Sequence, residues 1–555
     1  MKKNGIRFEA KLVALIAVWL CAAPVIVFAQ DAGHQNAASD TSGKSTAAAD
    51  ASTKSAANAT TARILEELEQ LRARIAELEA QLKAQSGSPA AANAVESSQS
   101  QPVTAENFVA GASTPGQAIA ERTVSAHATD AKKPKAEPFA FADFTWLNGN
   151  SREKDVPLDT KFFTPEIRMD TSYIYDFNHP KDHTLVGSSE SGRTQEVQLQ
   201  QLGVGGDFHF DNVRGRLMTQ FGLYSTMTPR NDPTPGEGQW NLDNAYRYIS
   251  EAYGGYHFNV LHGINVDAGI FMSYIGLFSY YNFDNWTYQP SYVSSNTPWF
   301  FNGVRTQIFL SDKLKIEPWF INGWQSYGSA NHRPGLGMQV LWRPNGKWSI
   351  LGNQYAVGRD AVGAPNRTRF HTDDSIEYKF YDNPDSFFDK AAFSLTLDAG
   401  CESGSGVTCF GNNLGATKKQ YFLGGMLYSR FWFNHDRYGL TLGGGGIDNP
   451  GRYLVLLPPI NGATAFSGTP YFTESPGDQY KAYDWSATFD YMPSQYITFR
   501  TEFDRRGANV PYFAGKGGVT PPGGNQGAPG SFVEGFTPDL RHTETRINLA
   551  ILVKF

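Results

Sequence analysis

TETRINLAILVKF, residues 543–555, ends the chain with a period of two. Thr545, Ile547, Leu549, Ile551, Val553 and Phe555 share one parity, and Glu544, Arg546, Asn548 and Lys554 the other. Side chains of an extended strand alternate between two faces, so this stretch has one greasy face and one polar face. Strands of soluble sheets average about five or six residues, whereas a tilted strand that crosses a bilayer needs about 9 to 11. The length of the pattern therefore favours a membrane.

Working back along the chain, the same alternation recurs. Ile167, Met169, Thr171, Tyr173, Tyr175 and Phe177 alternate with Arg168, Asp170, Ser172 and Asp176; Val213, Gly215, Leu217, Thr219, Phe221 and Leu223 alternate with Arg214, Arg216 and Gln220. Val304 to Leu310 carries Arg305 on the opposite parity, Leu314 and Ile316 alternate with Lys315 and Glu317, and Leu336 to Trp342 leads into Arg343. Tyr483, Trp485, Ala487, Phe489 and Tyr491 alternate with Asp484 and Asp490; Ile497, Phe499, Thr501 and Phe503 alternate with Arg500, Glu502 and Asp504. A charged residue facing lipid near the midplane costs roughly 2 to 4 kcal/mol, so charges in a membrane wall must collect on one parity. They largely do, the clearest exception being the strand from Arg367 to Phe380, where Arg369, His371, Glu377 and Lys379 share the inner parity and Asp374 falls on the outer one, so that this strand either projects beyond the bilayer or has another register.

The connections give an independent check. Short turns at Asp211-Asn212, Ser311 to Lys313, Pro344 to Lys347, Asn434 to Arg437 and Pro493 to Gln495 alternate with long polar or Gly/Pro-rich segments near 178–194, 225–245, 279–300, 446–480 and 507–540. Short periplasmic turns and long outer loops mark an outer-membrane barrel, and the count predicts about sixteen antiparallel strands with both ends on the periplasmic side. Phe208, Phe210, Trp342, Trp348, Phe431, Phe433, Tyr438, Tyr491 and Tyr496 flank the short turns, the placement of an interfacial girdle.

RMDTSYIYDFNHPKDHT, QLGVGGDFHFDNVRGRLMTQFGLYS, AGIFMSYIGLF, KLKIEPWFINGW and the closing RINLAILVKF together resemble the OmpL-like beta-barrel porin-2 family of Gram-negative outer membranes, over roughly residues 139–555. The resemblance implies a transmembrane barrel, a passive channel and no cofactor. Phe555 on its alternating strand is similar to the C-terminal signature that such proteins present to the outer-membrane assembly machinery.

Composition agrees with an exported protein. The 555 residues are 41% hydrophobic and 14% aromatic with a net charge of -6, and the mean hydropathy of -0.39 excludes a bundle of apolar helices. No concentrated basic face is available for nucleic acid. Lys2, Lys3, Arg7 and Lys11 precede an apolar run to Phe28 that closes on Ala29, so residues 1–29 are expected to be a signal peptide, with Cys21 lost alongside it. The cysteines beyond it, Cys401 and Cys409, are expected to form a loop disulfide, since they lack CxxC spacing and a histidine cluster.

Residues 30–60 and 85–138 are Ser/Ala/Thr/Pro-rich and are expected to be disordered linkers. Between them, residues 61–84 place Ile64, Leu68, Leu71, Ile75, Leu78 and Leu82 at alternating spacings of four and three, a coiled-coil seam. Glu67 with Arg72 and Arg74 with Glu79 have the sign and spacing for pairing between parallel strands, so the chain is expected to self-associate, a trimer being among the forms this allows.

Catalytic patterns are missing from the sequence: it has no HExxH, no GxSxG and no P-loop. Asp373 and Asp374 are adjacent and point to opposite faces of a strand, and the eleven histidines show no ligand spacing, so neither an enzyme nor a metal site is expected. The informative set is the inner-parity polar residues: Arg168, Asp170, Arg214, Arg216, Gln220, Arg305, Lys315, Glu317, Arg343, Arg369, Glu377, Asp484, Asp490, Arg500, Glu502, Asp504 and Arg546. A sixteen-strand closure leaves an aqueous channel, so these residues are expected to line a pore and set its ion preference, or to bridge one another and stiffen the wall. The segment Ser279 to Phe300, dense in Tyr, Trp and Asn, is expected to fold into the lumen and narrow it. The expected function is an outer-membrane porin for small hydrophilic solutes or ions. The alternatives are an anchoring or adhesion protein that uses the barrel as a mount and the coil for periplasmic or cell-wall contacts, and a secreted soluble β-sandwich.

Overall fold

The computed structural model describes residues 137–555 apart from Gly236, residues 412–416 and Glu474; the expected signal peptide, the first linker, the coiled-coil seam and nearly all of the second linker lie outside the described residues. Sixteen antiparallel strands close into one barrel. In chain order they are β1 (Phe163–Asp176), β2 (Val197–Phe210), β3 (Val213–Thr219), β4 (Ile249–Phe258), β5 (Ile264–Met272), β6 (Phe300–Ser311), β7 (Leu314–Ile321) and β8 (Gly335–Trp342). The second half comprises β9 (Trp348–Gly358), β10 (Thr368–Asp382), β11 (Phe388–Ser403), β12 (Tyr421–Phe433), β13 (Tyr438–Asn449), β14 (Tyr480–Ser494), β15 (Ile497–Ala508) and β16 (Thr543–Lys554). Each strand pairs with its sequence neighbours, and β16 returns to β1 in a register running from Arg168 opposite Lys554 to Asp176 opposite Arg546. The Phe555 amide donates to the Ile167 carbonyl at 2.9 Å and the Ile167 amide donates back at 3.1 Å, so the chain end finishes the seam.

The two faces are sorted as lipid outside requires. Ile167 is 41% and Leu397 61% exposed on the outer wall, whereas Arg168 is 2% and Glu502 0% exposed inside. This excludes the β-sandwich, whose greasy faces would pack on each other. The connections at one rim are a few residues long and those at the other run to thirty or so; the short-turn rim is the periplasmic side by the barrel rule. Rings stack along that rim: Trp348 on Tyr378 at 4.1 Å, Tyr438 on Tyr491 at 5.5 Å and Tyr496 on Phe555 at 5.5 Å.

Particular expectations shift. β3 stops at Thr219, short of the expected Leu223, because the chain leaves the sheet for a short helix, Tyr224–Met227. Three further long connections, 322–334, 359–367 and 404–420, were not among the expected ones although each is polar and carries glycine. Asp374 does face outward: Asp373 is buried inside and Asp374 is half-buried on the outer wall, so the register expected from the flanking residues is the observed one. Cys401, near the end of β11 toward the outer rim, is joined by a disulfide to Cys409 in the connection that follows, Cα atoms 5.0 Å apart.

Candidate functional site

Every candidate wall residue named from the sequence is on the inner side and less than 10% exposed. Fifteen or so are held by strands; Gln220 lies just past β3, where its side-chain amide donates to the Arg247 carbonyl and its oxygen accepts from the Tyr280 hydroxyl. What they meet inside differs from the open aqueous lumen that strand number suggests. Residues 273–299, the connection between β5 and β6, are buried throughout and fold into the barrel.

The wall carboxylates hold this segment. Asp170 accepts from the Asn282 side chain and the Tyr288 hydroxyl, both at 3.0 Å. Glu502 accepts from the Tyr288 and Gln289 amides at 2.6 and 2.8 Å, and Asp484 from the Ser291 hydroxyl and the Tyr292 amide at 2.8 and 2.7 Å. Wall guanidiniums take the segment's carbonyls. Arg500 donates to the carbonyls of Asn282, Asn285 and Thr287 while both its other contacts go to Asp490, at 2.7 and 3.0 Å. Arg168 pairs with Asp284 at 2.7 Å, and Arg546 donates to the Gln289 side chain while bridging Asp504 at 3.0 Å. Strand backbones satisfy one another, so only side chains remain to meet the polar groups of an irregular segment placed at membrane depth.

Other wall charges pair among themselves. Arg216 contacts Glu166, Asp207 and Glu251 within 3.0 Å; Arg305 and Arg214 share Asp267; Lys315 bonds Glu317 at 2.8 Å; Arg369 bridges Asp360 and Glu402. Glu377 lies opposite Ser349 and Ser394 in the ladders, and Arg343 covers the ring of Phe144 at 4.6 Å.

A second segment enters from the short-turn rim. The Phe139 amide donates to Asp312 between β6 and β7, the Trp146 indole to Gly346 between β8 and β9, and the Asn150 side chain to Ser494 and Thr498 at the β14–β15 turn. Strands β6 and β14 lie half the circumference apart, so residues 139–150 cross the mouth. At the crossing the Gly149 amide donates to the Asp284 carbonyl at 2.8 Å, and Arg430 donates to the Gly149 carbonyl at 2.7 Å. A Cβ on Gly149 would sit 2.4 Å or less from the carbonyl oxygens of Phe283 and Asn285, so only glycine allows this approach.

The sequence reading missed Arg430 and Arg506. Arg430 is flanked by Tyr428 and Trp432 inside and by Phe431 and Phe433 outside, so aromatic residues on both faces hide the parity. Arg506 follows Arg505 and was legible as two residues beyond Asp504. Among the described residues no group of His, Cys, Asp and Glu is arranged to hold a metal ion.

At the outer end, Glu190 in the β1–β2 connection is buried and accepts from the hydroxyls of Ser188 and Ser189, and burial pushes its carboxyl up to about 7 despite nearby Arg506. Burial likewise raises Asp232, in the β3–β4 connection, to about 6. A carboxyl raised on folding stabilises fully below its ordinary value of 4.5, and that contribution is lost as pH climbs through about 7. Hydrogen exchange of residues 186–194 is therefore expected to quicken between pH 5 and 8, beyond the intrinsic base catalysis, and Glu190→Gln is expected to remove the excess.

A family model described as "Putative beta-barrel porin-2, OmpL-like" matches residues 168–530. Similar solved structures include OmpT, an outer membrane protein of Vibrio cholerae (11% identity, 72% of this chain and 99% of that one, TM-score 0.40). Others are the outer membrane channel DcaP of Acinetobacter baumannii (14%, 71% and 96%, 0.39) and an anion-selective porin from Comamonas acidovorans (12%, 71% and 99%, 0.38). No curated relative matches the chain.

Proposed function

We propose, from the premise that this chain belongs to the OmpL-like beta-barrel porin-2 family and is a channel of the outer membrane, that it passes small hydrophilic solutes or ions by diffusion through a narrowed lumen. The carrying observation is the sidedness of the closed wall, with apolar side chains turned out and nearly all ionised ones turned in. In this reading the inner charges have two duties. Arg214, Arg216, Arg305, Lys315, Glu317 and Arg369, whose partners are mostly other wall residues, set the field felt by a passing ion. Asp170, Asp484, Arg500, Glu502 and Arg546 instead seat the inserted segment that limits solute size. Membership of a porin family supports a channel without enzymatic activity. In this reading the coil expected from the sequence at 61–84 belongs in the periplasm, which the bond from Phe139 to Asp312 at the short-turn rim supports.

The test is solute flux. Purified full-length protein in liposomes is expected to admit small sugars and amino acids and to exclude larger oligosaccharides, and in planar bilayers to give discrete conductance steps. Protein that is folded and inserted yet passes neither solute nor ion current would overturn the proposal and favour the anchoring reading.

A further inference from the structure

The lipid-facing wall carries two ionisable side chains away from the strand ends, among the described residues: Asp374 on β10 and Arg505 on β15. Asp448 and Lys481, also outward, sit at the outer strand ends and pair with each other. Asp374 is eight residues from Asp382 and Arg505 eight from Ile497, where β10 and β15 meet the short-turn rim. At about 3.3 Å per residue and a tilt near 40°, both stand roughly 20 Å up the wall, inside an apolar band about 25 Å tall.

The surroundings of Asp374 are equally unsuited to lipid. Thr372 donates to one carboxylate oxygen at 3.1 Å and Gln354 to the other at 3.3 Å, so three polar side chains of two adjacent strands meet on the outer surface. Beyond Leu397 on the next strand the wall thins: Gly425 and Gly446, two and three strands from Asp374, oppose each other. A Cβ on Gly425 would meet only ordinary contacts at 3.5 Å, and one on Gly446 a carbonyl at 3.3 Å. At Gly425 the barrel's own packing leaves room for a side chain. Bare backbone near a hydrogen-bonded carboxylate suits a protein surface pressed against it; an acyl chain offers Asp374 neither a donor nor a positive charge.

We propose that the outer wall around Asp374, from β9 to β13, is covered in the membrane by a second copy of this chain, with Asp374 facing Arg505 of that copy. The two charges are opposite in sign and equal in height, and they lie on different sides of one barrel. The contact therefore joins unlike faces, an arrangement that closes into a ring where the rotation from copy to copy divides a full turn. The heptad seam at 61–84 gives the same chains a separate reason to stand side by side. The inference rests on the barrel standing in the bilayer.

The experiment is cysteine cross-linking of the full chain in the outer membrane. Asp374→Cys and Arg505→Cys chains are co-expressed with distinguishable tags and oxidised in intact membranes. A mixed-tag band at twice the chain mass is expected on non-reducing gels, at least several-fold stronger than when either variant is expressed alone. Thr372→Cys with Thr545→Cys repeats the test with both charges intact, Thr545 being the ladder partner of Arg505. Heat-shifted migration verifies that each variant is a folded barrel. Folded pairs that give no mixed band in either combination overturn the proposal. Conductance is read on the same samples, so that a conducting protein without the cross-link refutes the interface and leaves the channel standing.

Discussion

Replacing Tyr280 to Ser295 with a short glycine–serine link is expected to raise single-channel conductance several-fold and to let larger solutes enter liposomes. The reason is volume. A sixteen-strand cylinder is wide enough for an aqueous channel, and here residues 273–299 occupy it with the rings of Tyr280, Tyr281, Trp286, Tyr288 and Tyr292 among others, all buried. The wall itself should survive, since its hydrogen bonds run from strand to strand and closure does not pass through this segment. Removing it strips partners from Asp170, Asp484 and Glu502 together. Water then replaces protein partners at these carboxylates and at Arg168, Arg500 and Arg546, and because Asp284 is the one charge in the replaced stretch, ion preference should move toward anions. Recordings in symmetric salt test the first effect and reversal potentials across a salt gradient the second; unchanged conductance in a folded variant counts against the segment as the narrowing element.

The largest single-residue effect is expected at Arg500. Its guanidinium binds Asp490 through two contacts and three carbonyls of residues 282–287, all fully buried. Arg500→Met leaves Asp490 with Arg430, at 2.8 Å, as its remaining cation and takes a donor from three carbonyls, of which that of Asn282 keeps the Asn285 amide. Breaking a buried charge pair from one side costs about 3 to 5 kcal/mol. Two consequences are expected in refolding titrations and bilayer recordings: a lower denaturant midpoint of about that size, and noisier, larger openings as residues 282–287 come loose. Arg500→Lys should recover little, because an ammonium group cannot reproduce a planar fork aimed at a carboxylate and several carbonyls. A stability like that of the parent would sink the account of Arg500 as the clamp.

These two expectations belong to different levels of legibility. The inner parity of Arg500, Glu502 and Asp504 can be read by eye in ITFRTEF and its continuation, since lipid penalises any charge on the other face. The outward Asp374 was legible for the same reason, as the clearest break in the alternation. That Arg500 clamps Asn285 was not, because the two are 215 positions apart and the contact is to a carbonyl that every residue possesses. Gly149 is similar: its need to be glycine arises from the oxygens of Phe283 and Asn285, far along the chain, and the surrounding sequence carries no turn signal for it.

Residue order alone was enough for the closed wall, its even strand number, the long-loop rim and the side on which charge collects. Each follows from a periodic penalty imposed by hydrocarbon on neighbours two apart, which leaves a mark in any short window. The Tyr, Trp and Asn content of Ser279 to Phe300 pointed that segment into the lumen, but how it is seated there, and the entry of residues 139–150, came only with the folded molecule. Segments 139–150 and 273–299 are held by single, aperiodic contacts between distant positions, and such contacts leave no repeat along the chain.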